Sequence, residues 1–142
     1  MIDYKYAAGF IDSDGSLQIH AKKFGDKFSV YPVVSISQLP HRSNLLHELA
    51  EYYDLTVHQN TRGSEEIRIS GTKGRRLMEA TKNHLVIKQE LADYILNLPK
   101  FVCEEELKAI KSVIKSLRRN NTPCKPRASR KWAAGYIDGD GC

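Results

Sequence analysis

Apolar and polar residues alternate along two stretches near the N-terminal end of the chain. Residues 16–22 carry an apolar side chain at every second position, and residues 27–38 repeat the pattern after Gly25-Asp26. A period of two is typical of a strand with one buried face, and a Gly-Asp pair favours a turn. These stretches therefore predict two strands joined by a turn. Pro32 in the second strand indicates a sheet edge or a bulge, since proline has no N–H to donate to a neighbouring strand.

A second pair of strands and a series of helices follow from the same reasoning. Residues 56–62 and 65–70 favour strands, and Gly63-Ser64 between them favours a turn. A helix precedes Gly15, and apolar residues three and four positions apart predict further helices over residues 42–53, 73–82, 86–98 and 103–120. This order of elements predicts an α+β fold in which helices cover one face of an antiparallel four-stranded sheet.

The composition is that of a globular protein. The 142 residues include 41% hydrophobic and 27% charged side chains, a balance unlike that of a disordered chain. No apolar run approaches the ~18 residues that cross a bilayer, and the N-terminal residues do not resemble a secretory signal, so we expect no membrane partner. The absence of a C-x-x-C pair indicates free thiols in a reducing compartment for the three cysteines, Cys103, Cys124 and Cys142.

Basic residues are concentrated toward the C-terminal end. Nine lysines and arginines and no acidic residue lie between Lys108 and Lys131, and the rest of the chain holds 13 basic and 17 acidic residues, a balance of −4. A basic segment beside a nearly neutral body is typical of a protein that binds a polyanion, most simply a nucleic acid. A solvated basic helix and linker would give the same pattern.

One nine-residue segment occurs twice. Residues 7–15 read Ala-Ala-Gly-Phe-Ile-Asp-Ser-Asp-Gly, and residues 133–141 read Ala-Ala-Gly-Tyr-Ile-Asp-Gly-Asp-Gly, with seven of nine positions identical. An aromatic residue precedes each copy, Tyr6 in the first and Trp132 in the second. The copies lie 126 residues apart, which is too far for a solenoid repeat. We predict instead two equivalent helices that meet around a pseudo-two-fold axis.

The residue types in each copy predict both a close helix contact and a charged site. Small residues around Gly9 and Gly135 would allow two helix backbones to approach each other closely. The glycine that closes each copy favours a helix end, so Asp14 and Asp140 would lie at the negative C-terminal ends of their helices. A divalent cation would relieve both the unfavourable dipole and the repulsion between the two carboxylates, as in Mg²⁺ sites that act on phosphodiesters.

The repeated segment resembles the motif that defines the LAGLIDADG homing endonucleases. Ala7 and Ala133 stand where the motif name has its first leucine. The resemblance covers one repeat, residues 4–99, a linker and the first helix of a second repeat. It implies a site-specific endonuclease of intron homing that cuts both strands of duplex DNA across the minor groove and leaves short 3′ overhangs. Asp14 and Asp140 would be both catalytic residues and ligands of Mg²⁺, or of Mn²⁺ or Ca²⁺ in the same site, with position 13 assigned no role.

The same resemblance implies three more catalytic candidates. Gln38, near the end of the second strand, and Arg42, just after it, stand where the family places groups around the metal-bound water. Lys88 stands where the family has a lysine near the scissile phosphates, and there it would polarise the water or stabilise the developing charge. No metal role is assigned to the histidines that lack ligand spacing, His20, His58 and His84.

The polar face of the predicted sheet is the candidate DNA surface. Strands that carry Arg, Asn, Gln and His can read base edges in the major groove, where the family places its curved sheet. A sheet covered on one side also exposes a polar face simply for solubility. The strand candidates are Gln18, His20, Lys22, Ser29, Tyr31, Ser35, Ser37, His58, Asn60, Arg62, Glu66, Arg68 and Ser70. The candidates for contact with the DNA backbone are Lys125, Arg127 and Arg130 of the linker.

The resemblance also divides the chain into three parts. Residues 1–100 would form the first repeat, residues 101–131 a basic helical linker, and residues 132–142 the start of a second repeat. A second repeat like the first would need 85 more residues, the length from Gly15 to Pro99. We therefore expect a separate chain or a further segment to complete it, or two chains to assemble. The expected location is an organelle (chloroplast or mitochondrion) or a prokaryotic cytoplasm.

Other functions fit part of these observations. Relatives of this fold act as intron RNA maturases or as DNA-binding proteins without catalysis. Their acidic pairs are often lost, whereas Asp14 and Asp140 are both present here. A purely structural or protein-binding module would explain neither the repeated aspartates nor the basic segment.

Overall fold

The first helix carries the first copy of the repeated segment and leads directly into the sheet. The computed structural model describes residues 2–42, 44–119 and 129–140. Its helices and strands are α1 (Tyr4–Asp14), β1 (Gly15–Phe24), β2 (Lys27–Gln38), α2 (Asn44–Tyr52), β3 (His58–Gln59), β4 (Glu65–Ser70), α3 (Gly71–Lys82), α4 (Gln89–Leu96), β5 (Phe101–Val102), α5 (Glu104–Arg119) and α6 (Arg130–Asp140).

The strands form one antiparallel sheet in the order β1-β2-β4-β3, and β5 pairs with the first part of β2. The predicted α+β class, with an antiparallel sheet and helices packed against it, is confirmed. The predicted count of four strands is wrong for the described residues, because β5 adds a fifth. With only two residues, Phe101 and Val102, this strand is too short to show a period of two.

Pro32 lies where β2 lacks a partner on one side. β5 pairs with β2 at Phe28 and Ser29, and β4 pairs with it from Val33 to Gln38, so the proline falls between the two segments. Val30, two residues earlier, donates its N–H to the carbonyl of Lys100, the residue just before β5. Because alternate residues of a strand point their N–H groups the same way, the nitrogen of Pro32 faces this gap. The proline therefore marks a local edge inside the sheet.

The turn between β3 and β4 corrects a predicted strand. Residues 56–62 were expected to be extended, but β3 contains only His58 and Gln59. The Asn60 side chain accepts hydrogen bonds from the backbone N–H groups of Arg62 and Ser64, at 2.9 and 3.0 Å. This local bonding competes with strand pairing. Asn60 and Arg62 therefore belong to a turn and not to the sheet face on which they were predicted.

Two helices begin later than predicted. The helix expected over residues 42–53 is α2, which starts at Asn44 after a short 3₁₀ turn over Pro40–Arg42. The helix expected over residues 86–98 is α4, which starts at Gln89. The N–H groups of residues 86–88 are instead bonded to the carboxylate of Asp12. A side chain distant in sequence thus holds the chain just before α4.

The core lies between the sheet and the helices. Alternate residues of β1, β2 and β4 point into it, and those that are at most 1% exposed are Leu17, Val34, Ile36, Ile67 and Ile69. α3 packs against both α1 and α4, and all three helices contact the sheet. α5 adds Leu107, Ile110 and Ile114 to the same core, at the spacing expected of an amphipathic helix. Among the helices of the described residues, none has the length and apolar character needed to span a membrane.

Candidate active site at the crossed motif helices

The two copies of the repeated segment form α1 and α6, and these helices pack closely against each other. A Cβ atom added at Gly9 would overlap the carbonyl oxygen of Trp132 and lie 2.9 Å from the nitrogen of Tyr136. One added at Gly135 would overlap the carbonyl oxygen of Tyr6 and lie 3.0 Å from the nitrogen of Phe10. The contact is reciprocal and is made by backbone atoms, so the predicted close approach is confirmed.

A reciprocal pair of hydrogen bonds joins the same helices. The Trp132 indole donates to the carboxylate of Asp12 at 2.8 Å, and the Tyr6 hydroxyl donates to that of Asp138 at 2.5 Å. Each aromatic residue precedes one copy of the motif, and each aspartate is the first aspartate of the other copy. Burial, together with the neighbouring carboxylate of Asp138, raises the pKa of Tyr6. The Tyr6 hydroxyl therefore keeps its proton, and with it this bond, at neutral pH.

Asp14 and Asp140 lie at the C-terminal ends of α1 and α6. Partial burial raises the pKa of Asp14 above its usual range; Lys88 opposes this shift, and the charge of Asp140 adds to it. The two carboxylates are therefore close enough to repel each other, and each lies at the negative end of a helix dipole. A cation is stabilised in such a place.

The donor set suits a hard divalent cation. Mg²⁺ is usually held by one or two carboxylates, with water and substrate phosphate completing its shell. Asp14 and Asp140 supply this number of carboxylates. Within residues 2–42, 44–119 and 129–140, no group of three or more His, Cys, Asp or Glu side chains gathers to form a fuller metal site. The residues present thus fit Mg²⁺ with phosphate as a further ligand.

Lys88 is held next to Asp14 by bonds at both ends of the residue. Its N–H donates to Asp12 at 2.8 Å, and its ammonium group donates to the carbonyl oxygens of Ile11, at 2.7 Å, and Gly15. Ile11 lies in the last turn of α1 and Gly15 is its C-cap, so the ammonium group lies at the C-terminal end of this helix. Burial lowers the pKa of Lys88, the carboxylates of Asp12 and Asp14 oppose the shift, and Arg118 adds to it.

Gln38 and Arg42 are placed on the α6 side of the site. The Gln38 amide, on a side chain that is only 7% exposed, donates to the carbonyls of Asp138 and Gly139 at 3.0 and 3.3 Å. It thus holds the last turn of α6. Arg42 is exposed and lines a cavity of about 350 Å³ with Tyr6, Asn44 and Asp138. The catalytic roles of Gln38 and Arg42 stay predictions.

No family model matches the sequence, and no curated protein does. Similar solved structures include the LAGLIDADG meganuclease I-AabMI bound to uncleaved DNA, with TM-score 0.62, 19% identity, and coverage of 99% of this chain and 58% of that chain. I-LtrWI bound to target DNA has TM-score 0.60 and 15% identity over 96% of this chain and 57% of that one. I-CvuI with its target and Ca²⁺ has TM-score 0.59 and 18% identity, and the match covers 92% of this chain and 88% of that one.

The chain has the fold of the LAGLIDADG homing endonucleases. The resemblance inferred from the repeated segment is therefore confirmed at the level of the fold. The chain spans 58% of the length of I-AabMI and 57% of that of I-LtrWI.

The polar face of the LAGLIDADG sheet holds most of the predicted DNA-contacting residues. Pairing sets Gln18 beside Val33, His20 beside Tyr31 and Lys22 beside Ser29, and it places Ser35 between Ser16 and Arg68 and Glu66 between Ser37 and His58. Glu66 accepts hydrogen bonds from Ser35 at 3.1 Å and from Arg68 at 3.2 Å. Ser70 is beside Val33, which is fully buried within this face. The face is therefore a partly self-bonded polar surface that also carries apolar side chains, Val33 in its middle and Phe24 and Phe101 at one end.

The basic candidates are only partly described. Lys125 and Arg127 lie outside the described residues. Arg130 is the first residue of α6 and is exposed. Next to it, Lys131 forms a 3.0 Å ion pair with Asp3, the N-cap of α1. Arg118 at the end of α5 donates to the carbonyl of Leu17 in β1 at 3.0 Å, which brings basic charge next to the sheet.

The sequence reasoning missed the role of the first aspartate in each motif. Asp12 is 4% exposed and accepts four hydrogen bonds from N–H groups. A signal was present, since this aspartate is identical in both copies and an aromatic residue precedes each copy. Sequence spacing alone could not show that the aromatic residue of one copy meets the aspartate of the other.

Proposed function

We propose that this chain is part of a site-specific DNA endonuclease of the homing type, which hydrolyses phosphodiesters on both strands with a divalent metal. The observation that carries this proposal is the crossing of α1 and α6, which brings Asp14 and Asp140 together at two negative helix ends. The fold adds support, since the similar solved structures include enzymes bound to target DNA. Because the chain spans little more than half of some of these proteins, the activity is proposed for the complete assembly.

Asp14 and Asp140 would hold Mg²⁺. The metal would supply an activated water and stabilise charge on the phosphate. The ammonium group of Lys88 offsets the charge of Asp14 and binds the carbonyls of Ile11 and Gly15, so it would hold the end of the motif helix in place beside the reacting phosphate. Gln38 does the same for the last turn of α6 through its bonds to Asp138 and Gly139.

Duplex DNA would lie along the polar face of the sheet. Its strands carry donors and acceptors at alternate positions, and a two-stranded ribbon of this kind fits the major groove. Arg118 and the exposed start of α6 would add contacts with phosphates, which contribute affinity without reading sequence.

The exposed side of α6 supports a second repeat as partner. Ile11 is fully buried in the core around α1, whereas Ile137, its equivalent in the other motif, is 54% exposed. The same face of α6 also exposes Ala134, whose equivalent Ala8 is buried. A unit equivalent to the first repeat would cover this face, either as a second chain or as a further segment.

The test is a cleavage assay on a large duplex library with the purified chain, alone and with an added second repeat. Mg²⁺-dependent double-strand breaks with a common overhang, absent in EDTA, would support the proposal. Asp14→Asn should abolish these breaks and leave DNA binding within a few-fold of the unchanged protein. Breaks by Asp14→Asn would contradict the assigned site. Salt-sensitive binding without cleavage, even with the second repeat, would indicate a binding protein or, if intron RNA binds better than duplex DNA, a maturase.

A further inference from the structure

Asp12 connects two parts of the molecule that are distant in sequence. Its Oδ1 atom accepts from the N–H of Lys88 at 2.8 Å. Its Oδ2 atom accepts from Val86 at 2.7 Å, from Ile87 at 3.2 Å and from the Trp132 indole at 2.8 Å. One buried carboxylate on α1 therefore holds both the chain before α4 and the second motif helix. A buried carboxylate needs such donors, because unbonded burial of a charge is costly.

The equivalent aspartate of the second motif has different surroundings. Asp138 is exposed, and it receives the Tyr6 hydroxyl at 2.5 Å. Tyr6 lies on α1, so this bond joins the two motif helices directly. Among the described residues, two side-chain hydrogen bonds thus join this helix pair, and the acceptor of the Trp132 bond, Asp12, also binds the segment that carries Lys88.

We propose that Asp12 is a positioning residue that couples the docking of α6, through Trp132, to the placement of Lys88 beside Asp14. The two oxygens of the Asp12 carboxylate lie in one rigid plane. Loss of the Trp132 donor on Oδ2 would let this plane rotate, and the rotation would also change the hydrogen bond that the N–H of Lys88 donates to Oδ1. Lys88 is tied to α1 at its other end by the bond from its ammonium group to Ile11. The site around Asp14 therefore assembles fully when the second motif helix is docked. Only the catalytic consequence of this coupling rests on the proposed function.

Backbone hydrogen exchange measured by NMR on the full chain tests the coupling. Trp132→Phe removes the indole donor and keeps an aromatic ring to stack on Tyr136, which lies 5.0 Å away between ring centroids. Since a hydrogen bond to a charged group is worth roughly tenfold or more in an equilibrium, we expect exchange at Val86 and Lys88 to rise by about tenfold. Tyr6→Phe is the matched control, because it removes the other bond between the same helices. It should leave the exchange rates of these two amides within about twofold of those in the unchanged protein.

Trp132 also supplies a spectroscopic signal of its own, because it is the only tryptophan in the chain. The single indole N–H resonance should be protected from exchange and should shift in Asp12→Asn, whose amide cannot accept at both positions. Where Asp12→Asn does not fold, Trp132→Phe still decides the question.

Two results would overturn the coupling. Unchanged exchange at Val86 and Lys88 in Trp132→Phe would show that the bond transmits nothing. An equal rise of exchange in Trp132→Phe and Tyr6→Phe would show general loosening of α6 and not a path through Asp12.

If the wild-type assembly cleaves DNA, Trp132→Phe should lower the cleavage rate by about tenfold with DNA affinity unchanged. Absence of wild-type cleavage would speak against the proposed function and leave the exchange result intact.

Discussion

Replacing Gly9 with alanine tests whether backbone contact holds the motif helices together. The added Cβ would overlap the carbonyl oxygen of Trp132 and lie 2.8 Å from its carbonyl carbon, where ordinary contact begins at 3.4 Å. Both atoms belong to the backbone of α6, so no side-chain rotation can relieve the overlap. The helices must separate by at least about 0.6 Å to restore ordinary contact with the carbonyl carbon alone.

The expected cost follows from what this separation breaks. Alanine gains about 1 kcal/mol over glycine as a helix former. Separation weakens the two bonds between the helices, Trp132 to Asp12 at 2.8 Å and Tyr6 to Asp138 at 2.5 Å. Hydrogen bonds to charged groups contribute about 1.5–3 kcal/mol each, so the net loss of docking free energy is about 2–5 kcal/mol.

Urea titration followed by tryptophan fluorescence measures this loss. Trp132 is the only tryptophan and lies on α6, so its emission reports docking, while far-UV circular dichroism reports the whole fold. We expect Gly9→Ala to shift the emission to the red and to lower the midpoint of the fluorescence transition.

Gly139→Ala is the matched control at the same crossing. The closest atom to its added Cβ is the Ser13 hydroxyl, the end of a side chain that can rotate, so the loss should be smaller. Ser13→Ala in that background should recover part of it. A Gly9→Ala protein that is more stable by the ~1 kcal/mol of helix propensity would refute the reasoning.

Two more predictions concern the groups around the helix ends. Asp14→Asn should raise the stability of the metal-free protein at neutral pH. The pKa of Asp14 is raised in the fold, so its charge is a cost above that pKa, and the cost disappears as the pH falls toward the ordinary carboxyl value. Thermal unfolding in EDTA at pH 7 and near pH 3 checks this, and a less stable variant at pH 7 would contradict it. Gln38→Glu should release α6, because a carboxylate would face the carbonyls of Asp138 and Gly139. A fluorescence midpoint equal to that of the unchanged protein would refute this, with Gln38→Met as the uncharged control.

Much of the fold was predictable because its signals are local. β2 runs over the predicted residues 27–38, and β4 over the predicted residues 65–70. α5 differs from the prediction by one residue at each end. In these elements a single face meets the core, so the period of the apolar residues follows the backbone geometry directly.

Two of the errors in the fold arose where a side chain competes for backbone hydrogen bonds. Asn60 bonds to the N–H groups of Arg62 and Ser64 and shortens β3. Asp12 bonds to the N–H groups of residues 86–88, and α4 begins only at Gln89. The apolar pattern is the same with or without these bonds, so periodicity alone could not detect them.

For the candidate site, the sequence by itself determined the parts that lie within one helix. Two copies of a small-residue segment, each ending in Asp-Gly, were enough to place Asp14 and Asp140 at helix ends and to predict that the two glycine faces meet. Both inferences depend only on the chemistry of adjacent residues.

The tertiary structure alone decided how those helices are held. Gln38 bonds to the last turn of α6 about a hundred positions away, and Asp12 joins Val86 and Lys88 to Trp132. The two copies of the motif are almost identical, yet Asp12 is buried and Asp138 is exposed. The difference comes from packing: the first motif helix lies against the core of its own sheet, whereas much of the surface of the second faces solvent. Which donors reach a carboxylate depends on the elements that surround it, and this information is absent from the local pattern of residues.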